Sequence, residues 1–178
     1  NHASIIDGCA GALPKHIGAK VHIYRHRDMA HLESLLKKSN ARRKIVVTDT
    51  VFSMDGSIAA LNDLYRICQN YSALLYLDDA HGTGVIGGHS PLSNGRGALS
   101  HFDLKPEHWI IQMGTLSKAF GSFGAFVAGT RDVIEWLKNT SRPFMFSTAL
   151  PTPVIAASLA ALEIIENDNI IIKRLWNN

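Results

Sequence analysis

The chain has 178 residues, of which 46% are apolar and 19% charged, and a formal net charge of +3. These proportions suit one globular domain with a real core and exclude a disordered chain. The basic cluster Arg42-Arg43-Lys44 runs straight into a strand-like segment without interleaved aromatics, which argues against a nucleic-acid partner, and no apolar run is long enough to span a membrane.

In chain order, residues 1–18 are small and apolar with Pro14 and Gly18, and predict a short helix and a turn. Residues 19–24 alternate and predict a strand. Leu32, Leu35 and Leu36 fall at helical spacing within residues 29–38, with Asp28 as the cap. The β-branched run 44–49 predicts a buried strand, and 51–58 a loop turning at Asp55-Gly56. Residues 60–71 predict an amphipathic helix with Leu61, Leu64, Ile67 and Cys68 inward, followed by a strand over 74–77. Residues 82–101 carry six glycines and one proline and predict a long irregular connection. Two short apolar strands follow at 109–113 and 124–128, then a helix over 131–139, an irregular stretch over 142–150 and an alanine-rich helix over 153–166. Strands alternating with helices predict an α/β layer on a largely parallel sheet, whose ligands bind at the carboxyl ends of the strands. Cys9 and Cys68 lie in helical segments without a C-x-x-C pattern, which fits free thiols in a reducing, cytoplasmic setting and spells out no metal site. The chain opens on Asn1 and ends just past a helical pattern, so it is expected to be a piece of a longer protein; a targeting segment cannot be read from it.

Three strand ends carry polar groups toward one crevice. After the strand at 109–113 comes Gly114-Thr115-Leu116-Ser117-Lys118-Ala119-Phe120-Gly121-Ser122-Phe123-Gly124, a lysine set among hydroxyls and glycines. After the strand at 74–77 comes Asp78-Asp79-Ala80-His81-Gly82-Thr83-Gly84, and Ser53 follows the strand ending at Asp49. An amine among small residues and hydroxyl donors suits Schiff-base chemistry with an aldehyde that also carries an anion. Pyridoxal 5'-phosphate needs an amine to hold it, a carboxylate at its ring nitrogen and donors for its phosphate. Lys118 is the candidate amine and Asp78 the candidate carboxylate, with Asp79 directed the other way if the strand geometry continues. His81 is the candidate partner of the ring's phenolic oxygen, Thr115 and Ser117 are candidate phosphate donors, and His2 is a candidate for the ring face. Taken singly, each of these would be an ordinary loop residue; the joint arrangement is what points to a site.

Two other motifs point elsewhere. Residues 77–81 resemble the acidic strand end of a P-loop ATPase, but no G-x-x-x-x-G-K-[ST] occurs in the chain. Residues 82–87 fit G-x-G-x-x-G, yet they run into further turn residues rather than opening a helix, which rejects a dinucleotide fingerprint.

With these residues in view, the chain resembles a known family. Residues 115–124 match the cofactor-attachment pattern of class-II pyridoxal-phosphate aminotransferases. Val51-Phe52-Ser53-Met54-Asp55-Gly56, Asp78-Asp79-Ala80-His81-Gly82-Thr83-Gly84 and Asn1-His2-Ala3-Ser4 resemble their α-oxoamine synthase branch. Residues 121–129 and 142–151 are most similar to the 8-amino-7-oxononanoate synthase family within that branch. The siblings that use glycine or serine tend to carry Gly-Gly-aromatic where this chain has Gly124-Ala125-Phe126.

The resemblance implies a fold-type-I α/β/α enzyme. Residues 1–165 would be a large cofactor domain, incomplete at its N-terminus, and residues 166–178 the start of a connection to a small domain. It implies a homodimer with its site at the interface, where Ser147 or Thr148 reaches the partner's phosphate. It also implies the decarboxylative condensation of L-alanine with pimeloyl-CoA in biotin synthesis. Lys118 would hold the cofactor and remove the substrate's alpha proton, Asp78 would stabilise the ring, His81 would orient the phenolic oxygen, His2 would stack on the ring and Ser53 would support the cofactor. A non-catalytic partner subunit of the same fold is the other implied reading, against which the retention of Lys118, Asp78 and His81 speaks.

Overall fold

The computed structural model describes residues 20–88, 94–167 and 170–178. Three parallel strands, β1 (Ile45–Asp49), β2 (Leu74–Asp78) and β3 (Ile110–Thr115), are joined by β4 (Ala125–Ala128), which returns antiparallel to β3, in the order β1-β2-β3-β4. Parallel neighbours need long crossovers. From β1 to β2 the crossover holds helix α2 (Leu61–Asn70); from β2 to β3 it is the glycine-rich stretch, whose one short helix is α3 (Ala98–His101). The fold is therefore α/β on a mostly parallel sheet.

Helix α1 (Met29–Lys38) begins where the Asp28 carboxylate accepts the His31 backbone N–H at 2.8 Å, and ends on Lys37 and Lys38, which suit its negative pole. Leu32 and Leu36 of α1, with Leu61, Leu64, Ile67 and Cys68 of α2, pack in one core with Val46, Leu75, Leu77 and Ile110 of the sheet. Burial pushes the Cys68 thiol up to about 12, which leaves it an inert packing group; Cys9 lies outside the described residues. The described residues contain no group of three or more metal-ligating side chains and no helix long and apolar enough to cross a membrane.

Several expectations change. The predicted strand at 19–24 is absent over the described part: Tyr24 packs on the core, while Val21 and Ile23 are exposed and no strand pairs with them. Alternation alone makes a strand only where a neighbour offers an edge. The stretch 142–150 contains a one-turn helix, α5 (Arg142–Met145), after α4 (Arg131–Thr140). β3 runs two residues further than its apolar pattern, into Gly114 and Thr115. Beyond the alanine-rich helix α6 (Thr152–Asn167), α7 (Ile170–Trp176) packs on the glycine-rich stretch: Ile172 is buried and Trp176 Nε1 donates to the Val85 carbonyl at 2.9 Å.

The described parts of the glycine-rich stretch, residues 82–88 and 94–101, gather around one buried side chain. Asp79 follows β2 on the face opposite Asp78 and is fully buried. Its carboxylate accepts from the Thr50 hydroxyl, from the Thr83 hydroxyl and the Gln112 amide, each at 2.9 Å, and from the Ala98 backbone N–H at 3.2 Å. Burial raises its proton affinity while these donors oppose that shift. Gly82 and Gly97 are required by the same group, since a Cβ at either would stand 2.1 Å from an Asp79 oxygen. Asp79→Asn turns a donor-bearing amide toward groups that already donate; stability is expected to fall by at least about 3 kcal/mol. Urea unfolding reads this as a lower midpoint at an unchanged slope, and a loss below about 1 kcal/mol contradicts the assignment.

Candidate active site

The register of the sheet decides which polar groups meet. Asp49, Asp78 and Met113 are successive cross-strand partners on β1, β2 and β3, so their side chains leave the same face. Thr115, two residues beyond Met113, shares that face. Asp79 and Gln112 belong to the other. The crevice therefore opens at the carboxyl ends of three parallel strands, where an α/β sheet places its ligands.

Lys118 sits in the turn that joins β3 to β4. Leu116 N–H donates to the Gly124 carbonyl at 2.9 Å and Ser122 N–H to the Leu116 carbonyl at 2.8 Å, which closes the loop like a hairpin. Inside it, Gly121 N–H donates to the Lys118 carbonyl at 2.9 Å. Thr115 is buried; its hydroxyl donates to the Gly124 carbonyl at 3.0 Å and pairs with Ser117 Oγ at 2.8 Å. The loop is pinned from outside by α6, where Ser122 Oγ donates to the Val154 carbonyl at 3.0 Å and receives Ser158 Oγ at 2.8 Å. Lys118 and Ser117 stand exposed on this braced turn.

Asp78 is half-buried and its carboxylate accepts the Ala80 N–H at 3.0 Å, an Asx-type turn that starts the chain toward His81. His81 is also half-buried, and its proton affinity is lowered, first by burial and then by the positive charge of Lys118, with Asp78 pulling the other way. Asp49 is buried and its proton affinity is raised, first by desolvation and then by the negative charge of Asp78, while Lys118 opposes the shift. Lys118, Asp78, His81 and Asp49 thus share one electrostatic neighbourhood.

The remaining candidates are more scattered. Ser53 is exposed in the loop after β1, which is closed by Phe52 N–H donating to the Ser57 carbonyl at 2.9 Å. Ser147 and Thr148 are exposed beyond α5, with the Ser147 hydroxyl turned back onto the Pro143 carbonyl. His2 lies outside the described residues. Asp49 was not singled out from the sequence, although the signal was present: like Asp78, it is an acid at the last position of a strand.

An apolar cavity of about 680 Å³ lies behind the lysine loop, lined by Leu116, Phe120, Phe126, Ile155 and Leu159 among others. None of the four ionisable groups lines it, so it belongs to the packing of α6 rather than to the crevice.

Residues 1–177 match the family described as aminotransferase class I and II. The chain is 48% identical over 180 residues to 8-amino-7-oxononanoate synthase of Thermoanaerobacter pseudethanolicus, covering all of this chain and 43% of that protein. Among solved structures it is similar to serine palmitoyltransferase from S. paucimobilis with a bound PLP–myriocin aldimine, at 30% identity and TM-score 0.85 over 99% of this chain and 43% of that one. It is also similar to 8-amino-7-oxononanoate synthase from Francisella tularensis, at 34% identity and TM-score 0.78 over 98% of this chain and 47% of that one. The chain spans a little under half the length of these relatives.

The electrostatics of the crevice can be read directly. His81 is expected to titrate below its ordinary 6.5 in the protein without ligand, followed by NMR of the imidazole protons. Because the fold disfavours the protonated ring, His81 opposes folding as pH falls below 6.5. Lys118→Ala is expected to move the midpoint upward yet leave it below 6.5, since burial is the larger cause. A midpoint that does not move shows that the two groups are not neighbours.

Proposed function

The chain belongs to the family of class I and II aminotransferases, and from that premise we propose that the whole protein is a pyridoxal-phosphate-dependent acyltransferase of the α-oxoamine synthase kind. The observation that supports this reading is the sheet face itself, where the charges of Lys118 on its braced turn and of the strand-end acid Asp78 both act on the half-buried His81. A lysine beside a carboxylate and an imidazole is the donor set that an aldehyde-bearing pyridine requires. When bound, the cofactor supplies an aldehyde for the amine and a ring that accepts an electron pair as a bond at the substrate's alpha carbon breaks.

The residues of this chain divide the remaining work. Lys118 holds the cofactor covalently, and its amine, once freed and neutral, takes a proton from the alpha carbon and later returns one. Asp78 presents a carboxylate to the ring nitrogen and keeps a proton there. His81, held neutral by burial and by Lys118, offers one ring nitrogen to the phenolic oxygen without adding a charge. Thr115 and Ser117 carry their hydroxyls on the turn beside Lys118, next to where the cofactor's anion must sit. Ser53 supports the cofactor from the loop after β1, His2 covers the ring, and Thr148, with Ser147, serves the site of a second subunit in a homodimer. The exposed Phe144, Met145 and Phe146 beside Thr148 support such an interface.

The substrates in this reading are L-alanine and pimeloyl-CoA, joined with loss of carbon dioxide to give 8-amino-7-oxononanoate for biotin synthesis in the cytoplasm. The 48% identity to an 8-amino-7-oxononanoate synthase supports this choice. A second reading, a sibling condensing serine or glycine, is favoured by the higher TM-score of the serine palmitoyltransferase structure, 0.85 against 0.78. Identity is the better guide to side-chain chemistry, and it falls on the first.

Borohydride reduction of the whole protein is expected to fix the cofactor on the peptide containing Lys118. Lys118→Ala abolishes that adduct, and Asp78→Asn lowers kcat by at least about 10²-fold while leaving the adduct in place. An adduct that survives Lys118→Ala overturns the assignment. Crossing alanine, glycine and serine with short and long acyl-CoAs separates the two substrate readings, and greater turnover with glycine or serine than with alanine selects the second.

A further inference from the structure

Asp49 is 8% exposed, and its Oδ1 is completely buried without a hydrogen-bond partner among the described residues. Buried carboxylate oxygens are nearly always paired, because an unpaired one forfeits its hydration with nothing in return. The contrast with Asp79 is sharp: that acid, still more enclosed, has four donors. Asp49 therefore has no structural task that its contacts reveal, and it stands on the crevice face as the direct cross-strand partner of Asp78. Neighbouring strands lie about 4.8 Å apart, so the two carboxyls leave the sheet side by side.

Resting on the cofactor reading above, we propose that Asp49 is a positioning residue of the site: a second acid that, through its neighbour Asp78, sets how much negative charge the sheet face presents to the pyridine ring. Two carboxylates this close resist ionising together. Asp49, enclosed and with its Oδ1 unpaired among the described residues, keeps its proton to higher pH than an ordinary carboxyl, first through burial and then through the charge of Asp78. Among the described residues, the groups facing Asp49 are Asp78 from β2, Lys118 from the β3–β4 turn and the Tyr24 phenol from the segment before α1. The first favours its neutral form and the second its ionised form. As pH rises, Asp49 ionises and the face gains a second negative charge, which strengthens its hold on a protonated, positively charged chromophore.

The test uses the whole protein loaded with pyridoxal phosphate and follows the visible absorbance of the bound cofactor as pH is raised, without substrate. Asp49→Asn is nearly isosteric and permanently neutral. It is expected to lose the chromophore's proton at lower pH than the parent protein, a drop of about three- to tenfold in proton affinity, whereas Asp49→Glu, which restores the charge, stays nearer the parent. A purely structural role would lower thermal stability in both variants and leave the spectral transition in place, and that result overturns the proposal. A transition that moves equally in the Asn and Glu variants also overturns it, since charge would not be the cause. If the parent protein never acquires the visible band, the cofactor reading itself fails; if it does and Asp49→Asn matches it at every pH, only the role of Asp49 falls.

Discussion

Everything in this sheet depends on how the adjacent acids Asp78 and Asp79 leave β2 on opposite faces. Asp79 goes into the protein, where the segment after β1, the segment after β2, the start of α3 and strand β3 all donate to it. Those donors make a buried charge tolerable. They also tie the glycine-rich crossover to the sheet at Thr83 and Ala98. Asp78, pointing the other way, is held by the local Ala80 N–H and leaves the sheet on the crevice face. One acid builds the strand end and the other is offered at it.

The lysine turn solves a related problem by topology. A fourth parallel strand would need a crossover of a dozen or more residues, which would leave any lysine between them on a long connection. An antiparallel β4 lets the chain reverse between Thr115 and Ala125 and close on itself by Leu116 and Gly124. Phe126 then lies across Gly114, where a Cβ would stand 2.4 Å from the ring. That contact seats β4 closely on β3, and the hydroxyl pair of Ser122 and Ser158 ties the turn to α6. A flexible side chain is thus mounted on a rigid base, which suits an amine that must move between partners while its backbone stays still.

The sequence made the elements of the α/β layer legible because their signals are local: β-branched runs for β1 and β2, helical spacing and a cap for α1, and a strong amphipathic face for α2. The gathering of polar groups at the carboxyl ends of the strands followed from the parallel order. Register was not legible, because it depends on which residue opposes which across the sheet; the pairing of Asp49 with Asp78 was therefore invisible until β1 and β2 were aligned. The strand misread at 19–24 failed for the same reason, since a local alternation does not reveal whether a pairing edge exists. Asp79 was read only as the acid facing away, because its four partners are separated from it by 4 to 33 residues.

The four ionisable groups of the crevice cannot be assigned charges one at a time. Lys118 lowers the proton affinity of both His81 and Asp49. Any event that removes the positive charge from Lys118 therefore raises the proton affinity of the imidazole and of the buried carboxyl together. Asp78 holds this arrangement in place, because its charge draws protons toward His81 and discourages a second ionisation at Asp49. The proton affinities of His81 and Asp49 thus follow the charges of one amine and one acid, and that coupling arises from the register of the strand ends rather than from any one residue.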